Sequence, residues 1–158
     1  MKKEILSALA FAVVAGFSSN ASATISTIES SSYQTCLIPA SGSAEALVVG
    51  GVCSAVQNQS WFWRLEFIGQ SEHVRIRNTQ TNLCLDLQTV STADSVRVVQ
   101  RACGTSYTQR WTLSTVAGIA RTFRNGHSAK CLAMDNSTGI IYQWGCNGTT
   151  SQRWWMFL

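Results

Sequence analysis

The stretch CGTSYTQRW, residues 103–111, sets a cysteine six residues before a glutamine and eight residues before a tryptophan. The same spacing recurs in CSAVQNQSW, residues 53–61, and in CNGTTSQRW, residues 146–154. Self-similarity at a fixed period indicates one supersecondary unit that has been copied, with each copy needing its neighbours to bury its apolar face. The sequence therefore predicts three equivalent units.

A second repeated feature gives the length of the unit. Cys-Leu pairs begin at Cys36, Cys84 and Cys131, which are 48 and 47 residues apart, and the last two are preceded by an Arg-Asn pair. This spacing predicts repeats that span about residues 28–67, 68–115 and 116–158.

Residues 1–23 have the features of a secretory signal peptide. Lys2 and Lys3 precede an apolar run that extends from Ile5 to Phe17, and residues 21–23 (ASA) offer a small-residue cleavage site. The apolar run is too short for a membrane span, which needs about 20 residues. We therefore predict an exported protein, periplasmic or extracellular, with no membrane span and a single domain over residues 24–158.

The six cysteines all follow this leader, two in each repeat. In an exported protein an even number of cysteines predicts disulfides. Zinc is the competing explanation, but no cysteine has a second cysteine or a histidine at metal-ligand spacing. The repeat selects one pairing, with one bridge in each unit: Cys36–Cys53, Cys84–Cys103 and Cys131–Cys146.

Short β-rich segments separated by Gly, Ser, Thr and Asn predict an all-β fold, and the threefold repeat favours closure around a pseudo-threefold axis. In an extended Gln-x-Trp segment both side chains lie on the same face. Trp61, Trp111 and Trp154 are therefore predicted to pack in the core. Of the neighbouring Trp63 and Trp155, one is expected to pack and the other to be exposed.

The composition argues against two classes of function. Residues 24–158 carry ten basic and seven acidic side chains, and the basic residues are scattered along the sequence rather than clustered, unlike those of a nucleic-acid-binding protein. His73 and His127 accompany no nucleophile or acid pattern, and there is no paired-carboxylate signature or phosphate-binding glycine loop. We predict neither an enzyme nor a metal or cofactor site.

The segment GIIYQWGCNGTTSQRW, residues 139–154, together with the three Gln-x-Trp units and paired cysteines, resembles the ricin B-type lectin domains. The resemblance covers about residues 28–158. It implies a β-trefoil with one disulfide in each repeat and a secreted, non-catalytic, carbohydrate-binding function. Each repeat of that family can hold a shallow sugar site, so weak sites act together through multivalency.

The family's site combines an aspartate two residues after the first cysteine, an aromatic residue two before the second, and an Asn-Gln pair at the Gln-x-Trp. A carboxylate accepts sugar hydroxyls, and an aromatic ring covers the apolar face of the sugar. Repeat 1 has Ile38 and Gly51 at the first two positions, so we expect no site there, although Asn58 and Gln59 match the pair.

The other two repeats match this pattern in part. In repeat 2, Asp86 and Gln109 fit, but Arg101 replaces the aromatic residue and Thr108 the asparagine. In repeat 3, Ala133 takes the aspartate position, and Asp135 can substitute for it if the loop bends. The remaining candidates of repeat 3 are the aromatic Trp144 and its neighbours Tyr142, Asn147 and Gln152.

Two functions agree with these features. The first is a secreted lectin that binds glycans weakly through degenerate repeat sites. The second is a cell-binding or accessory subunit of a multi-component toxin, because the ricin-like subunits of cytolethal distending toxins also carry degenerate sugar positions and bind partner subunits. Trefoils of another family inhibit proteases, but they lack the repeated Gln-x-Trp.

Overall fold

A computed structural model describes residues 24–32, 34–53, 62–116 and 118–157. Within these residues the chain forms strands and two short 3₁₀ turns, Tyr107–Gln109 and Thr150–Gln152. No helix in this part of the chain is long and apolar enough to cross a membrane. The twelve strands are β1 (Thr24–Ser30), β2 (Thr35–Pro39), β3 (Val48–Val52), β4 (Phe62–Phe67), β5 (His73–Asn78), β6 (Cys84–Leu87), β7 (Val98–Arg101), β8 (Trp111–Val116), β9 (Ala120–Asn125), β10 (Cys131–Met134), β11 (Ile141–Trp144) and β12 (Trp154–Phe157).

Six of these strands close into an antiparallel barrel. The order around the ring is β1, β4, β5, β8, β9 and β12, and β12 pairs again with β1 through the register Ile28↔Met156. The other strands form three hairpins, β2–β3, β6–β7 and β10–β11. Isolated bridges connect these hairpins in a triangle: Leu47↔Val99, Val49↔Ile140 and Arg97↔Tyr142. This arrangement is a β-trefoil, so the predicted fold class is confirmed.

The core contains one fully buried tryptophan from each repeat: Trp63, Trp111 and Trp154. Each indole N–H donates a hydrogen bond to the carbonyl of the leucine in its own Cys-Leu pair. These carbonyls belong to Leu37 at 2.7 Å, Leu85 at 3.2 Å and Leu132 at 3.1 Å. The three rings therefore occupy equivalent positions in the three repeats.

The position in repeat 1 that we predicted for Trp61 belongs instead to Trp63. Repeat 1 has ten residues from Cys53 to its core tryptophan, whereas the other repeats have eight. These two additional residues shift the tryptophan while the Cys-x₅-Gln-x-Trp spacing persists in the sequence. Trp61 itself, like Asn58 and Gln59, lies outside the described residues.

All three disulfides join the predicted partners: Cys36–Cys53, Cys84–Cys103 and Cys131–Cys146. Each bridge joins the start of the first strand of a hairpin to the chain that follows the second. Strands β2, β6 and β10 contain the Cys-Leu pairs, and β1 begins at Thr24, where the predicted leader ends.

Buried glutamines connect successive repeats. The amide of Gln100 donates to the carbonyls of Ser41 (2.8 Å) and Ser43 (2.9 Å), in the β2–β3 loop of repeat 1. Gln143 does the same for the β6–β7 loop of repeat 2, donating to Ser91 and Ala93 at 3.0 and 2.6 Å. These contacts hold the loop of one repeat beside the hairpin of the next.

Repeat 1 has a glycine at the corresponding position, Gly50. Its backbone N–H donates directly to Gly139 O at 2.7 Å, so the β10–β11 turn of repeat 3 packs against the backbone. A Cβ on Gly50 would lie 2.6 Å from Met134 Sδ, too close for any side chain without a shift.

Candidate functional site

The hairpin of each repeat brings the candidate ligand positions to one face. The residue two before the second cysteine lies directly opposite the first cysteine, as Arg101 does opposite Cys84 and Trp144 opposite Cys131. Because side chains alternate along a strand, the residue two after the first cysteine shares this face. The side chains that occupy this face differ among the three repeats.

An apolar side chain fills the face in repeat 1. A Cβ added to Gly51 would lie 2.2 Å from Ile38 Cδ1, so the isoleucine occupies the space above the glycine. The two hairpin positions of this face, Ile38 and Gly51, supply neither a carboxylate nor an aromatic ring for a sugar.

Two charged side chains of the protein fill the face in repeat 2. Asp86 is only 2% exposed. Its Oδ2 accepts hydrogen bonds from Gln109 Nε2 at 2.9 Å and from the guanidinium of Arg101 at 3.2 Å. Arg101 also donates to the carbonyls of Leu87 and Gln88. The arginine therefore lies over the carboxylate that a ligand would have to reach.

A glutamate from repeat 1 closes this arrangement from outside. Both carboxylate oxygens of Glu45 accept hydrogen bonds from the Arg101 guanidinium. This hydrogen bond holds the pKa of Glu45 below its ordinary value, and the same contact raises the pKa of Arg101. Glu45 has a left-handed backbone, φ 66°, and its N–H donates to Gln100 O at 2.8 Å, which fixes its position. The face in repeat 2 is thus filled by the ion-paired side chains of Asp86, Arg101 and Glu45.

Repeat 3 keeps an open cleft of about 390 Å³. Trp144 is 41% exposed beside it, and Tyr142 meets this ring edge-on with centroids 6.0 Å apart. Ala133, at the position of Asp86, is buried at the base. None of the described residues that line the cleft carries a charge. The lining comprises Ala133, Asn136, Tyr142, Trp144, Asn147, Thr149, Thr150 and Ser151.

Gln152 positions the cleft loop and does not line the cleft. It is 1% exposed, its Oε1 accepts from the backbone N–H of Asn147 at 3.0 Å, and its Nε2 donates to Gly145 O at 2.8 Å. Gln109 makes the corresponding contacts in repeat 2, with Gly104 N and Ala102 O. In repeats 2 and 3 the glutamine of the Gln-x-Trp unit thus fixes the loop that carries the second cysteine.

The polar groups of the cleft are neutral hydrogen-bonding groups. Asn147 Oδ1 accepts from the backbone N–H and hydroxyl of Thr149, at 3.1 and 2.8 Å, which fixes the orientation of the Asn147 amide. Burial raises the pKa of Tyr142, with a smaller contribution from the charge of Asp135. The Tyr142 hydroxyl therefore stays protonated at neutral pH and is able to donate a hydrogen bond.

Asp135 is not among the residues that line the cleft. Its Oδ1 accepts from the backbone N–H of Ser137 at 2.8 Å and from the Ser137 hydroxyl at 2.6 Å, in the turn after β10. These hydrogen bonds lower the pKa of Asp135. The carboxylate thus stabilises its own turn, and the structure does not bring it to the position that Asp86 has in repeat 2.

The structure separates the eight predicted site residues into three groups. Tyr142, Trp144 and Asn147 line the cleft. Arg101 and Gln109 both donate to Asp86 in repeat 2. Asp135 and Gln152 hold a turn and a loop of repeat 3. Sequence reasoning missed Asn136 and residues 149–151, which complete the cleft. Hydroxyl and amide residues in a loop gave no distinct signal, because they are also the ordinary residues of turns.

The sequence profile of the family described as "Ricin-type beta-trefoil lectin domain-like" matches the chain over residues 14–100 and 57–139. Together these two matches cover most of the chain. No curated protein matches it.

Solved structures share the fold at low sequence identity. The designed threefold-symmetric protein ThreeFoil is 21% identical, with a TM-score of 0.79, and the match covers 85% of this chain and 98% of that one. A Polyporus squamosus lectin is 19% identical with a TM-score of 0.75, covering 85% of this chain and 48% of the lectin. The Haemophilus ducreyi cytolethal distending toxin is 14% identical with a TM-score of 0.70, covering 84% and 81%.

These similarities agree with the barrel and the hairpin triangle. At these identities the structural matches establish the fold, while the profile match establishes the family. The chain belongs to the ricin-type beta-trefoil lectin domain-like family.

Proposed function

We propose that this protein is a secreted, non-catalytic lectin that binds glycans through a single cleft, the one built by repeat 3. The observation that carries the proposal is the half-exposed ring of Trp144 beside an open, uncharged cleft. An aromatic ring of this kind covers the C–H face of a sugar, while the hydroxyl and amide groups around it exchange hydrogen bonds with the sugar hydroxyls.

The absence of charge in the cleft lining favours a neutral sugar. A charged sugar would lose its hydration without an opposite charge among the lining residues, and that desolvation is costly. Without the family's carboxylate the site also lacks its strongest hydrogen bonds, which contribute about 1.5–3 kcal/mol each. We therefore expect affinities near the millimolar level, about −4 kcal/mol.

A glycan array followed by titration of the best neutral oligosaccharide tests the proposal. Trp144→Ala should weaken binding at least tenfold, because it removes the aromatic ring. Phe157→Ala is the matched control, since Phe157 is 44% exposed but lies at the end of β12 and not among the cleft residues. Binding that survives Trp144→Ala unchanged, or that Phe157→Ala reduces equally, contradicts the proposal.

A second candidate is a binding subunit of a multi-component toxin. It is supported by the filled faces of repeats 1 and 2, whose core and disulfides are intact, and by the fold shared with the Haemophilus ducreyi toxin chain. Such a subunit uses its surface to bind partner chains. Recovery of a stoichiometric complex with a nuclease-like or ADP-ribosylating protein from the producing cell would favour this candidate, and recovery of the protein alone, with intact glycan binding, would favour the lectin.

A further inference from the structure

The arginines that are scattered in the sequence come together on one side of the barrel. Strand β5 directs Arg75 and Arg77 outwards, since the residues that alternate with them, Val74 and Ile76, are buried. Arg64 lies opposite Arg77 on the adjacent strand β4. Across β5, His73 pairs with Thr112 of β8, which in turn pairs with Arg124 of β9.

Arg110 lies beside this group, because Arg75 and Arg110 both donate to the loop that follows the second disulfide. Arg75 donates to Gly104 O at 3.2 Å, and Arg110 donates to the adjacent Thr105 O at 2.9 Å. We call Arg64, Arg75, Arg77, Arg110 and Arg124, with the acids Glu66 and Glu72 among them, the arginine face. Both acids belong to it by position, since Glu66 pairs with Arg75 across β4 and β5 and Glu72 shares a shallow depression with Arg124.

The arginine face holds the entire excess of positive charge. Residues 24–158 contain ten basic and seven acidic side chains, of which five and two lie on this face, so the remaining five and five cancel. Two of the five cations outside this face form ion pairs, Arg101 with Glu45 and Lys130 with Asp94 at 2.7 Å. The charge distribution is therefore strongly asymmetric.

The acids of the arginine face do not neutralise it. Glu66 contacts Arg77 at 2.9 Å and Arg75 at 3.9 Å, so a single carboxylate serves two guanidinium groups. Arg64 is exposed, forms no ion pair with any described residue, and lies directly across from Arg77. Like charges that face each other across a strand pair destabilise a sheet. A bound anion would relieve this repulsion.

We propose that the arginine face binds a sulfated polysaccharide. A guanidinium group donates two parallel hydrogen bonds to a sulfate group. Neighbouring strands place the guanidinium groups in rows that a linear polyanion can follow. A nucleic acid fits less well, because single-stranded nucleic acids need aromatic rings on which bases stack. Tyr107 is exposed at this edge, but the Arg110 guanidinium covers its ring at 4.0 Å.

The proposal is independent of the lectin cleft, which lies in the β10–β11 hairpin and is uncharged. The test is titration calorimetry with a size-fractionated heparin oligosaccharide, its desulfated form, a single-stranded oligonucleotide and vesicles of anionic lipid. We expect heparin binding that weakens steeply as the salt concentration rises, because neutralising a polyanion releases its counterions. Desulfated heparin should not bind.

The double substitution Arg64→Gln/Arg124→Gln should weaken heparin binding about tenfold, which corresponds to about 1.4 kcal/mol. The matched control is Arg121→Gln/Arg153→Gln, which removes the same charge outside the arginine face and should change the affinity less than about twofold, within the scatter of single surface contacts. Trp144→Ala should leave heparin binding unchanged even where it abolishes binding of a neutral glycan. Equal losses in the two double variants, tighter binding of the oligonucleotide or the vesicles than of heparin, or no heparin binding would overturn the proposal.

Discussion

The equivalent glutamines of repeats 2 and 3 allow one hydrogen bond to a buried carboxylate to be measured within a single molecule. Gln152 makes two hydrogen bonds to the backbone, with Asn147 N and Gly145 O. Gln109 makes the same two, with Gly104 N and Ala102 O, and a third to Asp86 Oδ2 at 2.9 Å. Both glutamines are buried, at 3% and 1% exposure, so the two sites differ chiefly in the carboxylate.

Substitution by methionine keeps the volume and removes the hydrogen bonds. At about 1 kcal/mol for each neutral hydrogen bond, Gln152→Met should lower the free energy of unfolding by about 2 kcal/mol. Gln109→Met also removes a bond to a charged group, about 1.5–3 kcal/mol, and should cost about 3.5–5 kcal/mol in total. Urea unfolding at neutral pH with the disulfides intact, followed by tryptophan fluorescence, measures both.

The control for this comparison is the background variant Asp86→Ala. There, Gln109→Met should cost only about as much as Gln152→Met, because the third hydrogen bond has no acceptor. The denaturant m-values should stay constant, so that differences in midpoint report stability. Equal costs for the two substitutions in the wild-type background, or a difference that persists without Asp86, would refute the argument.

Three further outcomes are expected. Trp154→Ala should lower the free energy of unfolding by about 3–5 kcal/mol in urea denaturation, whereas Trp144→Ala, on the exposed side of β11, should cost less than about 1 kcal/mol. The pKa of Glu45 lies below its ordinary value of 4.5, so its ion pair with Arg101 stabilises the fold above that pH and is lost as the pH falls through the folded-state pKa. Glu45→Gln should therefore make unfolding less sensitive to pH in this acidic range, and unchanged acid titration curves would contradict the ion pair. Ala129 has φ 58°, a conformation that asparagine tolerates better than alanine, so Ala129→Asn should raise the melting temperature, and a decrease would contradict this reading of the turn.

The fold could be predicted because its determinants are local and occur three times. Cysteine spacing gave the disulfides, and the tryptophan in the same unit gave the core. The repeated spacing predicted the wrong core tryptophan in one repeat. Two additional residues after Cys53 move this position to Trp63. The spacing selects Trp61, which has the same offset of eight from Cys53 that Trp111 and Trp154 have from their cysteines. The decisive difference is the hydrogen bond to the Leu37 carbonyl, which only the three-dimensional structure shows.

The candidate site was less predictable because its outcome depends on residues far apart in the sequence. Asp86 and Gln109 fit the family positions, but nothing near them in the sequence indicates that Glu45, 56 residues before Arg101, closes the face. The arginine face was difficult to predict for the same reason. Its five arginines are spread from position 64 to position 124 and meet only because β4, β5, β8 and β9 are neighbours in the barrel.

The three faces show that different residues at equivalent positions are compatible with one fold. A buried carboxylate without a cation or donors is strongly destabilising, so Asp86 is compatible with the fold because Arg101 and Gln109 both donate to it. Repeat 3 has Ala133 instead, so it needs no internal cation and its cleft stays open. The alanine at position 133 therefore removes the need for a cation at this face, which is why the accessible cleft is also the uncharged one.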